Sequence, residues 1–157
     1  MHDVVIGLGG NLGDRALLLA SATDAIAALP GTRLIATSVL RETEPVGGVP
    51  QGPFLNGAVR VETSLSPSQL LDALLRIERR FGRERRERWG PRTVDLDVLW
   101  IAGLAQESPL LTVPHPRLLD RAFALEPLVD VAPDARDPRT GEAYRDRLAT
   151  LRDFGAR

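Results

Sequence analysis

At 157 residues and 43% hydrophobic content the chain has the size and apolar fraction of one compact domain with a real core, so a single domain over 1–157 is expected. It holds no cysteine and only two histidines, His2 and His115, which excludes disulfides, thiolate chemistry and a histidine-rich metal cage; any metal must be held mainly by carboxylates. The formal net charge of -1 argues against general nucleic-acid affinity, and with neither a run of roughly 20 apolar residues nor a basic-then-apolar start, a cytosolic protein with no membrane partner is expected.

Along the chain, Val4-Val5-Ile6-Gly7-Leu8-Gly9 reads as a buried strand, and Gly10-Asn11-Leu12-Gly13 punctuates it before Asp14, an N-cap for a helix over about 15–29. Pro30-Gly31 ends that helix, and the β-branched content of 34–40 predicts a second strand. Pro45, Gly47, Gly48, Pro50, Gly52 and Pro53 then make a long loop that supports neither regular structure and suits binding. A third strand over 54–62 alternates, with Leu55, Gly57, Val59 and Val61 on one face and Phe54, Asn56, Ala58, Arg60 and Glu62 on the other. Ser66-Pro67-Ser68-Gln69 is a capping box with proline at the first helical position. The helix it opens carries the stripe Leu70, Leu74, Ile77 and Phe81 and stops at Gly82.

Positions 94–101 predict a fourth strand, with Asp95, Asp97, Leu99 and Ile101 on one face and Val94, Leu96, Val98 and Trp100 on the other. Pro114, Pro116, Pro127, Pro133 and Pro138 break up the remainder, with 118–131 helical in part. Strand, helix, strand, strand, helix, strand implies an α+β fold: a ferredoxin-like sandwich, mostly antiparallel, with two helices on one face and long active-site loops.

The chemistry concentrates around Asp95-Leu96-Asp97. On a strand the two carboxylates share one face with Cα atoms roughly 6.5 to 7 Å apart. An isolated Asp-x-Asp is ordinarily a solvated strand face, but both sides of this strand continue into apolar residues, and carboxylates at the start of a buried strand call for cations. Converging side chains can bridge two magnesium ions, with substrate phosphates and water completing each octahedron. From Arg83 to Arg92 five arginines stand against Glu84 and Glu87, which places anion attraction immediately upstream. Arg83 and Arg92 bracket that segment and are the better polyphosphate ligands; Arg85 and Arg86 read equally as a charged turn, and Arg88 is given no individual role. Trp89 within it would anchor the loop on closing.

Arg88-Trp89-Gly90-Pro91-Arg92-Thr93-Val94-Asp95-Leu96-Asp97 closely resembles the signature of the 6-hydroxymethyl-7,8-dihydropterin pyrophosphokinase family. Three further stretches support it in order: Ile6 to Asp14, Phe54-Leu55-Asn56-Gly57-Ala58, and Leu111-Thr112-Val113-Pro114-His115-Pro116-Arg117, followed by Arg121-Ala122-Phe123. The resemblance implies a magnesium-dependent transfer of pyrophosphate from ATP to the pterin hydroxymethyl group in folate biosynthesis, with AMP leaving. It implies that Asp95 and Asp97 bind both magnesium ions and that Arg83, Arg92, His115 and Arg121 contact the triphosphate. Trp89 would secure the closed loop, and Glu78, Val98 and Thr112 would border the nucleotide. For the pterin it implies Phe54 and Phe123 as a sandwich, Asp95 beside them, and Asn56 with the backbone at Thr43, Glu44 and Val46 reading the ring edge. ATP and the dihydropterin are the expected partners of a monomer. Phe54 and Pro116 stand where some members have tyrosine, and the arginine loop has no lysine.

Two other readings compete. Gly7 to Gly13 after the first strand suggests a dinucleotide-dependent oxidoreductase, but Leu12 stands where the fingerprint needs glycine or alanine. A non-enzymatic ferredoxin-like binding module would leave the aspartates incidental. A P-loop is impossible in a chain whose 20 basic residues are all arginine.

Overall fold

The structure, a computed structural model, describes residues 1–44, 50–82 and 93–155. The expected Val46, Arg83, Trp89 and Arg92, with Arg85, Arg86 and Arg88, lie outside the described residues.

The element order is β1 (His2–Gly10), α1 (Arg15–Ala27), β2 (Thr32–Thr37), β3 (Arg41–Thr43), β4 (Phe54–Thr63), α2 (Pro67–Arg80), β5 (Asp95–Ile101), β6 (Gln106–Glu107), β7 (Thr112–Val113), a 3-10 turn (Leu118–Asp120), α3 (Ala122–Val131) and α4 (Tyr144–Gly155). Strands β2, β4, β1 and β5 lie side by side in that order, each pair antiparallel, and β3 extends the β2 edge of β4. β1 and β2 are therefore parallel with β4 between them, and β4 and β5 parallel with β1 between them. These are two interlocked split βαβ units, the ferredoxin-like arrangement.

The caps behave as the sequence predicts. The Asp14 carboxylate accepts from the Leu17 N–H at 3.2 Å, and Ser66 with Gln69 forms a reciprocal capping box. Gly82 follows the C-cap of α2 with φ of 76°, and Gly31 turns the chain from α1 into β2 with φ of 60°, a conformation costly to any residue with a Cβ. The β2 edge departs from expectation: instead of one strand over 34–40, the chain breaks at Ser38. The Ser38 backbone N–H donates to Ala58 O and its hydroxyl accepts from Ala58 N, so side chain and backbone together hold β4 across the break.

The core has two layers. Val4, Ile6 and Leu8 of β1 and Val59 and Val61 of β4 face Leu19 and Ile26 of α1 and Leu70, Leu74 and Ile77 of α2. Burial of each such side chain contributes about 2 kcal/mol. The sheet's opposite face, left without helices in the sequence reading, is covered by α3, which falls within the expected partly helical 118–131, and by α4, which was not expected, packing Leu125, Leu128, Tyr144 and Leu148 against Val5, Ala58, Leu99 and Trp100. Pro127 lies buried inside α3 instead of ending it.

One strand-face expectation is corrected. Val5 pairs with Trp100 while the adjacent Ile6 pairs with Val98, so Leu99 is an extra residue on β5. This bulge reverses the alternation beyond Leu99. Trp100 turns to the α3/α4 side, where its indole N–H donates to Arg136 O at 2.9 Å, and Ile101 joins the α1/α2 side.

Candidate active site

Strand register builds the site. Asn56, Gly9 and Asp95 form one row across β4, β1 and β5, and Ala58, Gly7 and Asp97 form the next. Glycine at the middle of both rows leaves room into which the Leu99 and Asn56 side chains lean, and this part of the sheet faces the N-terminal end of α3. A cavity of about 180 Å³ results, lined by Thr43, Glu44, Phe54, Asn56, Asp95, Asp97, Arg121 and Phe123, with Gly7, Leu8, Gly9, Gly57, Leu99 and Ala124. Eight of the sequence-predicted site residues thus meet in one place. Gly7 and Gly9, read in the sequence only as part of a motif, were not among the expected site residues, although they fall on the face opposite Val4, Ile6 and Leu8 and period-two reading of β1 exposes them.

Side-chain hydrogen bonds tie together the segments beside this cavity. The Asn56 amide nitrogen donates to the Thr43 hydroxyl, linking β4 to β3. Arg15 reaches from the start of α1 to Pro53 O at 3.0 Å and pairs with Glu42. Asn11 donates to Gly52 O and to Gln51.

The remaining candidates lie elsewhere. The His115 backbone N–H donates to Leu99 O at 2.9 Å, which lays the segment after β7 along the outer edge of β5. Thr112 is half-buried on β7, and the Val98 side chain is buried in the α1/α2 core, which leaves only its backbone for any ligand. His115 Nδ1 accepts from the Arg117 N–H at 3.2 Å, so the neutral ring carries its proton on Nε2. Burial lowers its pKa below the usual histidine range; Arg121 and Arg117 push the same way and Asp95 opposes them. His115 is therefore a neutral N–H donor at pH 7. Burial and Arg117 lower the pKa of Arg121, with Asp97 opposing, yet a guanidinium stays charged at any physiological pH. Arg121 sits over the Phe123 ring, 5.4 Å from its centroid.

Glu78 is 3% exposed on α2, on the far side of β5 from the cavity, and its Oε2 accepts from the Leu96 N–H at 2.8 Å. A carboxylate here anchors β5 between its two aspartates. Glu78→Ala would leave a buried donor unmatched and is expected to cost about 2 to 3 kcal/mol in urea unfolding. Glu78→Gln, which keeps an acceptor oxygen, should lose clearly less.

A ferredoxin-like sheet covered by helices on both faces, with a cavity lined by two carboxylates and two phenylalanines, makes this an α+β protein with a small-molecule site. Residues 5–133 match the model of the 7,8-dihydro-6-hydroxymethylpterin-pyrophosphokinase (HPPK) family, and the chain belongs to that family. A relative from Methylorubrum extorquens named 2-amino-4-hydroxy-6-hydroxymethyldihydropteridine pyrophosphokinase is 44% identical over 155 residues, covering 99% of this chain and 97% of the relative. One of the same name from Pseudomonas aeruginosa is 46% identical over 135 residues, 86% of this chain and 83% of the relative. Among solved structures, a Plasmodium falciparum HPPK-DHPS triple mutant superposes with a TM-score of 0.73 at 18% identity, over 95% of this chain. This chain spans 44% of that one, and the likeness bears on the fold.

Proposed function

We propose that Asp95 and Asp97 hold two magnesium ions against the triphosphate of ATP while Phe54, Asn56 and Phe123 hold a dihydropterin beside them. As a member of the pyrophosphokinase family, the chain is an enzyme that transfers pyrophosphate from ATP to the hydroxymethyl group of 6-hydroxymethyl-7,8-dihydropterin in folate biosynthesis, using magnesium. One observation carries the residue-level reading: both aspartates open onto the same cavity as the two phenylalanines and the asparagine.

The donor set suits the metal, since two carboxylates with no sulfur nearby are hard oxygen ligands and both line the cavity. When bound, the ions would neutralise the polyphosphate and acidify the attacking hydroxyl. The chain's own residues do the positioning. Phe54 and Phe123 clamp the pterin ring from the sheet and from α3, while Asn56, tethered by Thr43, reads its amide edge with the backbone at Glu44 and Val46. Arg121 and the neutral His115 Nε2–H face the phosphates, joined by Arg83 and Arg92, and Trp89 secures the loop between them. Glu78, Val98 and Thr112 set the nucleotide's border, Glu78 by holding β5 and Val98 through its backbone.

The substrate hydroxyl oxygen bonds to the β-phosphorus as the bond between that phosphorus and the α,β-bridging oxygen breaks, so AMP leaves and the hydroxyl proton passes to solvent. No side chain is assigned as a general base. The whole chain acts as one domain and as a monomer in the cytoplasm; no helix among the described residues is long and apolar enough to cross a membrane.

Incubation with ATP, magnesium and 6-hydroxymethyl-7,8-dihydropterin tests the reaction. AMP and a pterin diphosphate in equal amounts are expected; ADP with a pterin monophosphate would overturn it.

A further inference from the structure

We propose that Arg41 is a positioning residue that sets the width of the pterin slot by locking the strand that carries one wall to the helix that carries the other. This rests on the pterin reading of the cavity and deepens it.

Arg41 opens β3, where it pairs with Asn56 of β4, and two residues later Thr43 pairs with Phe54. Arg41 and Thr43 share a strand face, the one that looks toward α3. From there the guanidinium spans two carboxylates one helical turn apart on α3. Nη1 donates to Asp130 Oδ2 at 2.8 Å, Nη2 to Asp130 Oδ1 at 3.1 Å, and Nε lies 3.1 Å from Glu126 Oε2. Arg152 of α4 stands 3.8 Å from the same Glu126 oxygen.

Every edge of the Arg41 fork is thus engaged, and by one helix. Phe123 lies one turn before Glu126 on that helix. Neither Arg41 nor its two carboxylates line the cavity, so the cluster acts on the ligand only through the walls it joins.

The apolar contact between α3 and the sheet cannot do this job alone. Leu125, Leu128 and Val131 supply attraction, but hydrophobic burial has no direction and tolerates sliding of the helix along the sheet. A planar fork on two carboxylates admits one register. The spacing between Phe54 and Phe123 then follows from the register of α3, and a planar ring between them tolerates little error in it. At roughly 30% side-chain exposure the cluster is worth little as global stability. Its effect should fall on substrate affinity.

Arg41→Ala and Arg41→Lys, with the unaltered chain, test this through separate KM values for pterin and ATP and through pterin binding in the absence of ATP. Arg41→Ala is expected to weaken pterin binding and raise the pterin KM about tenfold, with kcat and the ATP KM within about twofold. Arg41→Lys keeps the charge but not the fork and should fall between the two. In the Arg41→Ala background, Asp130→Ala should add almost nothing, because its partner is already gone.

A pterin KM unmoved in Arg41→Ala overturns the clamp while leaving the reaction standing. Pterin and ATP KM values rising together would also overturn it, since that is general loosening. An unaltered chain that makes no AMP, or does not bind the pterin, overturns the cavity reading beneath it.

Discussion

Asp97→Ala should give a folded chain whose turnover is reduced by roughly a thousandfold, the scale on which removal of one preorganised electrostatic contact is felt. The fold is expected to survive because Asp97 is exposed, stands opposite Gly7 and buries no apolar surface. Its neighbours on β5 make the contrast. Leu96, 6% exposed in the α1/α2 core, would cost about 3 kcal/mol on truncation to alanine. Asp97 belongs to the same strand but to the other side of the energetic division, with its charge turned to the cavity and toward Arg121. AMP release and the thermal midpoint, measured on the same preparation, separate the two roles. Turnover near that of the unaltered chain in a variant with an unchanged midpoint would remove Asp97 from the metal site. A steeper magnesium requirement in Asp97→Asn, which keeps the shape and loses the charge, would locate the defect at the cation.

That division was readable in advance because it depends only on strand periodicity. Asp95 and Asp97 on one face, Leu96 and Val98 on the other, and Phe54 beside Asn56 all follow from a period of two. The caps of α1 and α2 were equally legible, since Asp14, Ser66 and Gln69 act within three residues of their partners. What failed depended on distant pairing. The Leu99 bulge arises from how β5 meets β1, and nothing inside 94–101 announces it. The break at Ser38 likewise depends on Ala58 across the sheet. α4 was missed although Tyr144, Leu148 and Leu151 recur at i, i+4 and i+7, because the charged residues around them mask a stripe whose partner is complete only once Trp100 turns toward it. The Arg41 cluster joins residues up to 89 positions apart, beyond any local pattern. His115 was readable as a candidate but not as a residue on the edge of β5, since that placement is one backbone hydrogen bond to Leu99.

Gly9→Ala is expected to separate stability from binding more sharply than any change at a charged position. Gly9 lies between Asn56 and Asp95 in the row nearest the pterin, and a Cβ added there would fall 2.9 Å from Asn56 Oδ1. The asparagine must yield. Its amide nitrogen is already committed to the Thr43 hydroxyl, so any retreat of Oδ1 strains or breaks the contact that orients the group. The backbone itself gains, because alanine has less conformational freedom than glycine to lose on folding, worth up to about 1 kcal/mol. A midpoint equal to or slightly above that of the unaltered chain should therefore accompany a pterin KM raised about 30-fold, the cost of misplacing one buried polar contact of about 2 kcal/mol. Gly7 supplies the internal control. The nearest atoms to a Cβ there belong to the buried Leu99 side chain, at 3.2 Å, and not to Asn56, so Gly7→Ala should lower the midpoint while raising the pterin KM far less. Equal effects at 7 and 9, or none at 9, would mean that Asn56 does not read the ring.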